Sequence, residues 1–110
     1  MIEKIVLDYL QKNKIAAYLE ENEEMPEEYV LIEKAGSGGT RHIKKATIII
    51  QSYSVTLYKT MLLNEKVKRI LEKLAELDDI CRCELNSDYN YTDTKRKKYR
   101  YQAVFDIVHY

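Results

Sequence analysis

With 110 residues, 18 Lys and Arg against 18 Asp and Glu, one Pro, two Cys and no Trp, the chain has the arithmetic of one domain and excludes a multidomain enzyme. Surface scaling gives a chain of this size one modest core that buries roughly two thirds of the unfolded surface, with no need for disulfides or a metal. A net charge of zero argues against a general nucleic-acid binder, which needs surplus cations to displace counterions. No stretch approaches the roughly 20 apolar residues of a membrane span, so no membrane partner is expected. Met1-Ile2-Glu3-Lys4 opens an amphipathic pattern instead of a signal peptide, and the expected compartment is the cytoplasm. Cys81 and Cys83 lie too close in sequence for an unstrained disulfide and read as reduced thiols.

In chain order, Ile2, Ile5, Val6, Tyr9 and Leu10 recur at helical spacing and predict a helix over 2–13. A short strand is expected at 15–19. Residues 20–28, Glu-Glu-Asn-Glu-Glu-Met-Pro-Glu-Glu, are too charged for a packed element and predict a solvated acidic loop. Tyr29-Val30-Leu31-Ile32-Glu33-Lys34 and Thr47-Ile48-Ile49-Ile50-Gln51-Ser52-Tyr53 are β-branched and aromatic runs of strand length. Between them Gly36, Gly38 and Gly39 predict a mobile connection, so the two strands form a hairpin whose long basic tip carries Arg41, His42, Lys44 and Lys45. A second helix is expected from an N-cap at Ser54 to about Asp78, with Leu57, Met61, Val67, Ile70, Leu71, Leu74 and Leu77 along its apolar side.

The last third predicts two long strands, 80–91 and 97–110, around the turn Thr92-Asp93-Thr94-Lys95-Arg96. Odd positions, including Cys81, Cys83, Leu85, Tyr89 and Tyr91, share one face. Avoiding like charges opposite one another favours pairing Arg82 with Asp106 and Asp88 with Arg100, a register in which paired numbers sum to 188. Twelve residues of strand span roughly 40 Å, so the hairpin tip must bend sharply or project as an arm. The fold class is therefore α+β: two helices on a mixed, mostly antiparallel sheet of about five strands, in the order α-β-β-β-α-β-β.

Charges that balance in sum are unbalanced in order. Residues 1–33 carry 3 basic and 9 acidic groups, 34–69 carry 8 and 1, 70–94 carry 2 and 7, and 95–110 carry 5 and 1. Such blocks fit complementary faces meeting between copies, and equally fit separate solvated faces.

Signatures of chemistry are few. His42 and His109 are the only histidines, and neither stands in a nucleophile motif, so no enzyme activity is expected. Gly36-Ser37-Gly38-Gly39-Thr40 lacks the Gly-Lys-Ser/Thr ending of a phosphate loop and reads as a flexible connection. Cys81 and Cys83 supply two of the four ligands of a zinc site, and core packing explains them better. The acidic run lacks the spacing of a calcium loop. No cofactor is expected. Lys95-Arg96-Lys97-Lys98 beside Tyr91 and Tyr99 has the ingredients of a nucleic-acid contact, and also those of a turn that protects a strand edge. Ten tyrosines fit an interface, or a core lined by rings with wet hydroxyls.

The segments Tyr29-Val30-Leu31-Ile32-Glu33-Lys34, Ile50-Gln51-Ser52-Tyr53-Ser54, Glu84-Leu85-Asn86-Ser87-Asp88-Tyr89-Asn90-Tyr91-Thr92-Asp93 and Tyr99-Arg100-Tyr101-Gln102-Ala103-Val104-Phe105-Asp106, with the element order, resemble the tail-completion, or tail terminator, proteins of long-tailed bacteriophages and prophages. The resemblance implies a ring, a hexamer by analogy with that family, that caps the tail tube and joins it to the head connector without cofactor or catalysis. It implies assembly in the host cytoplasm, a final place at the head–tail junction, and DNA passing through the ring without being read. It supplies no interface map. The candidate interface residues rest on charge and length: Glu23, Glu24, Glu27 and Glu28; Gly36, Gly38 and Gly39; Arg41, Lys44 and Lys45; and Tyr91, Lys95, Arg96, Lys97, Lys98 and Tyr99. A head-side connector or minor capsid component is the first alternative, and a small nucleic-acid-binding module using 95–98 is the second.

Overall fold

A computed structural model describes all 110 residues. Helix α1 (Ile2–Lys12) is followed by β1 (Ala17–Tyr18), β2 (Tyr29–Gly39), β3 (Lys44–Tyr53), α2 (Leu57–Leu71), a 3-10 turn (Leu74–Glu76), β4 (Ile80–Asn90) and β5 (Arg100–His109). The strands form one sheet in the order β1-β2-β3-β5-β4, antiparallel except for the parallel β1-β2 pair. This is the expected α+β order.

The core lies on one face only. Ile2, Val6 and Leu10 of α1 and Leu63, Val67 and Leu71 of α2 join Val30, Ile32, Ile48, Ile50, Ala103, Phe105 and Ile107 of the sheet in one buried cluster. Those strand residues alternate with the rest, as a pleated strand requires, so the other sheet face carries Leu31, Ile49, Gln51, Gln102 and Val104 with no helix over it. We refer to these as the helix face and the open face.

Several sequence expectations are corrected. The Gly-rich segment is not a loose connection: Gly36, Gly38 and Gly39 pair with Thr47, Lys45 and Lys44 as the end of β2, after a bulge between Lys34 and Gly36. Backbone hydrogen bonding outweighs the weak strand preference of glycine, and only residues 40–43 remain as the turn. There Gly39 has φ of +104°, and a side chain would collide with the Ile43 carbonyl, so this position requires glycine. Strand β1 shrinks to two residues because β2 offers it partners only at Val30 and Leu31.

Helix α2 is capped by Thr56, not Ser54. The Thr56 hydroxyl accepts from the Lys59 amide at 3.1 Å, while the Ser54 hydroxyl donates to Glu28. The helix stops at Leu71, and the chain tightens into the 3-10 turn before Asp78. Its first two turns are rotated from the expected face: Thr60, Leu63 and Asn64 are buried, while Leu57 and Met61 are exposed. A part-buried cluster partners the Asn64 amide nitrogen, with Asp88 accepting from it at 2.8 Å and from Lys68 at 2.9 Å, and Lys68 also paired with Glu65.

Between its two bulges the β4-β5 register follows a sum of 190, with Glu84 opposite Asp106, and past the second bulge a sum of 191, where charge avoidance predicted 188. The carboxylates have other partners: Arg82 lies 3.5 Å from Glu84, and Asp106 accepts from Asn86 and Thr47. Exposed charge repulsion is worth little under those conditions, whereas this register sets Leu85 beside Phe105 on the helix face. Bulges between Ile80 and Arg82 and between Leu85 and Ser87 then break the predicted odd face. Cys83 packs against the core, while Cys81, in the first bulge, is exposed. Burial, then the nearby Glu84, pushes the Cys83 thiol up to about 11, so it stays protonated near neutrality. Past the second bulge, Asp88 faces α2 and Tyr89 and Tyr91 turn to the open face.

The hairpin tip bends and does not project. Asp93 bridges to Lys98, its carboxylate accepts from the Lys95 and Arg96 amides, and Lys97 takes a left-handed φ of +52°. The molecule is 43 Å long and about 25 Å across.

The cap assignment is testable. Thr56→Ala should lower unfolding free energy by about 1 kcal/mol, and Ser54→Ala by less than about 0.5 kcal/mol, in urea titrations.

Candidate interaction surfaces

All five strands contribute to an aromatic and cationic cluster on the open face, at the end of the sheet where β2 and β5 begin. Tyr29 and Tyr53, paired across β2 and β3, stack with centroids 4.8 Å apart, and Tyr18 meets Tyr29 edge-on at 6.4 Å. Lys98 sits 4.8 Å from the Tyr53 centroid and Arg100 sits 4.4 Å from that of Tyr91. Arg100 also donates to the Tyr91 carbonyl at 2.8 Å and to the Tyr53 hydroxyl at 3.3 Å. Tyr89 packs edge-on to Tyr91, and its hydroxyl accepts from Gln102 at 2.6 Å. The Gln102 side chain in turn accepts from Gln51, which accepts from the Tyr53 hydroxyl. These hydrogen bonds form a ladder across β4, β5 and β3.

The acidic loop closes one side of this cluster. Glu21 accepts from Lys98 and, at 2.6 Å, from the Tyr29 hydroxyl. Those two bonds, from Lys98 first, hold the Glu21 carboxyl below its ordinary pKa. Burial acts against the Lys98 ammonium, but hydrogen bonds to Glu21 and Tyr29 outweigh it and leave its pKa raised. Burial, followed by the Glu21 bond, raises that of Tyr29. The site therefore favours a charged Lys98 and Glu21 beside a neutral Tyr29.

Among the sequence-predicted residues, Glu23, Glu24, Glu27 and Glu28 are exposed in the acidic loop, whose Glu21 accepts from Lys98 of the 95–98 turn. Lys98 is half-buried in the cluster, Tyr91 lies under Arg100, and Lys95, Arg96, Lys97 and Tyr99 are exposed. Arg41, Lys44 and Lys45 lie at the far end of β2, exposed and with no carboxylate within 4.0 Å. The structure thus joins the acidic loop to the C-terminal basic turn and leaves the β2-β3 basic tip apart from it. His109 is buried at the end of β5 and His42 is exposed in the tip, so the two imidazoles share no site.

Sequence reasoning missed Tyr18, Glu21, Tyr29, Gln51, Tyr53, Tyr89, Arg100 and Gln102. Alternation in β2, β3 and β5 places Tyr29, Gln51, Tyr53, Arg100 and Gln102 together, but Tyr89 and Tyr91 join them only through the bulge. A second surface, also missed, is the shoulder of α2, where Val55, Leu57, Tyr58, Met61 and Leu62 are 45%, 37%, 68%, 42% and 51% exposed. Five such residues within eight positions form an apolar patch of the kind that binding surfaces use.

The chain matches no protein-family model, and no curated protein is similar to it.

The carboxylate shifts give a pH dependence with a defined sign. Glu21 and Asp88 both have lowered folded-state pKa values, the latter first through Lys68, so their contribution is present above the ordinary carboxylate range and is lost as pH falls through the folded values. Melting temperature should therefore drop between about pH 5 and pH 2, and Glu21→Gln combined with Asp88→Asn should lower it at pH 7 and flatten that slope. Parallel thermal melts of the two proteins across this range make the comparison.

Proposed function

We propose that this chain is a structural subunit that closes the end of a phage or prophage tail tube and joins it to the head, acting through a ring of its own copies. The observation that carries the reading is uncovered area. The accessible surface is 7162 Å², against about 6,300 Å² for a folded monomer of this mass. The surplus is comparable to the roughly 800 Å² that each partner contributes to a standard interface.

Two unlike surfaces offer exposed area: the open sheet face, where Leu31, Ile49 and Val104 stay partly accessible although Tyr29, Tyr53 and Gln102 are buried, and the apolar shoulder of α2 on the other layer. Two copies joined through unlike surfaces make a head-to-tail contact, and such contacts close into rings when the rotation permits. The sequence resemblance supplies the tail-end role, a sixfold ring, the tube and head connector as partners, and DNA as passing cargo. Occupation of Lys98 by Glu21, Tyr29 and Tyr53, and the acidic loop beside the 95–98 turn, reduce the positive potential that a nucleic-acid module would need.

Two measurements test the proposal. Purified protein added to tail tubes lacking it should decorate one tube end in electron micrographs, whereas preferential binding to isolated connector rings would favour a head-side component. Met61→Glu combined with Leu62→Glu should weaken self-association while leaving the melting temperature within a few degrees of the parent, since both side chains are exposed.

A further inference from the structure

At the end of the open face remote from the tyrosines, a groove of about 420 Å³ runs over Gly36, Gly38, Lys45, Thr47, Arg82 and Asp106. We infer that this groove receives the acidic 20–28 segment of a second copy of the chain, an inference that rests on the head-to-tail association proposed above.

Three observations converge on that occupant. The groove's own carboxylates are engaged, Asp106 by Thr47 and Asn86 and Glu84 by Arg82, whereas Lys45 on its wall and Arg41 and Lys44 at the adjoining turn have no carboxylate partner. Glu20, Glu23, Glu24 and Glu27 are the complementary group, exposed and likewise without a basic partner. The two sets stand at opposite ends of the 11-residue strand β2, about 30 Å apart, so a chain cannot bring its own loop to its own groove. That distance is several Debye lengths at physiological salt, which leaves pairing between copies as the way for these charges to meet.

The groove floor has a matching property. Gly36 and Gly38 alternate on the open face, and a Cβ at either would meet nothing within 4 Å. Neither has the positive φ of Gly39, so the isolated fold makes no use of glycine at these positions. Missing side chains there allow the backbone of an incoming extended segment to approach closely.

The test exploits that free space. Gly36→Val and Gly38→Val put side chains into the groove at positions where an added Cβ meets nothing within 4 Å, and should hold or raise the melting temperature. Zero-length carbodiimide crosslinking of an equal mixture of 14N- and 15N-labelled full-length protein should give mixed-isotope crosslinks from Lys45 to Glu23, Glu24 or Glu27. Both valine variants should lose them. Absence of those crosslinks in the parent protein, or their persistence in both stably folded variants, overturns the inference. A native mass measured on the same samples separates the two readings: rings without these crosslinks discard the groove and keep head-to-tail assembly, and a monomer discards both.

Discussion

The sheet has five strands and the chain has two helices, both placed on the same side, so one face is packed and the other must be stabilised by its own side chains or by another molecule. The packed face is conventional. Val30, Ile32, Ile48, Ile50, Ala103, Phe105 and Ile107 bury against Val6, Leu10, Val67 and Leu71 and fix the register of the central strands. The open face is tied together by rings, amides and cations instead, which can be half-wet without leaving polar groups unpaired. Its apolar members, Leu31, Ile49 and Val104, remain partly accessible.

The bulge near Asn86 links these two halves. It lets β4 present Leu85 and Asp88 to the helix side and Tyr89 and Tyr91 to the open side, so one strand serves both the α2 contact and the aromatic cluster. The same inversion keeps β4, an outer strand, irregular and charged, which disfavours unspecific edge pairing. The faces, where shape and charge can select a partner, are thereby left as the surfaces open to association.

Much of this was legible in the sequence because it depends on periodicity. The α1 stripe of Ile2, Val6 and Leu10, the β-branched run of β3 and the α-β-β-β-α-β-β order all follow from spacing alone. Features that depend on competition between distant groups were not legible. Exposed charge avoidance predicted the wrong β4-β5 register because Asn86, Thr47 and Arg82 already engage the carboxylates. Ser54 resembled a cap as closely as Thr56 does, and only its bond to Glu28 separates them. Three glycines in four residues looked like a mobile turn because composition does not reveal a paired partner strand. The candidate surfaces divide in the same way: the charged segments were visible as blocks, whereas the tyrosine cluster required five strands to be aligned and one alternation to be inverted.

The central claim is that the uncovered surface of one copy is covered by unlike surfaces of others. Light scattering behind a sizing column, over a concentration series at low and high salt, tests it most directly. The account predicts a single discrete multiple of the 13.0 kDa chain that gives way to monomer as salt rises. A monomer mass at every concentration and both salt levels would contradict it.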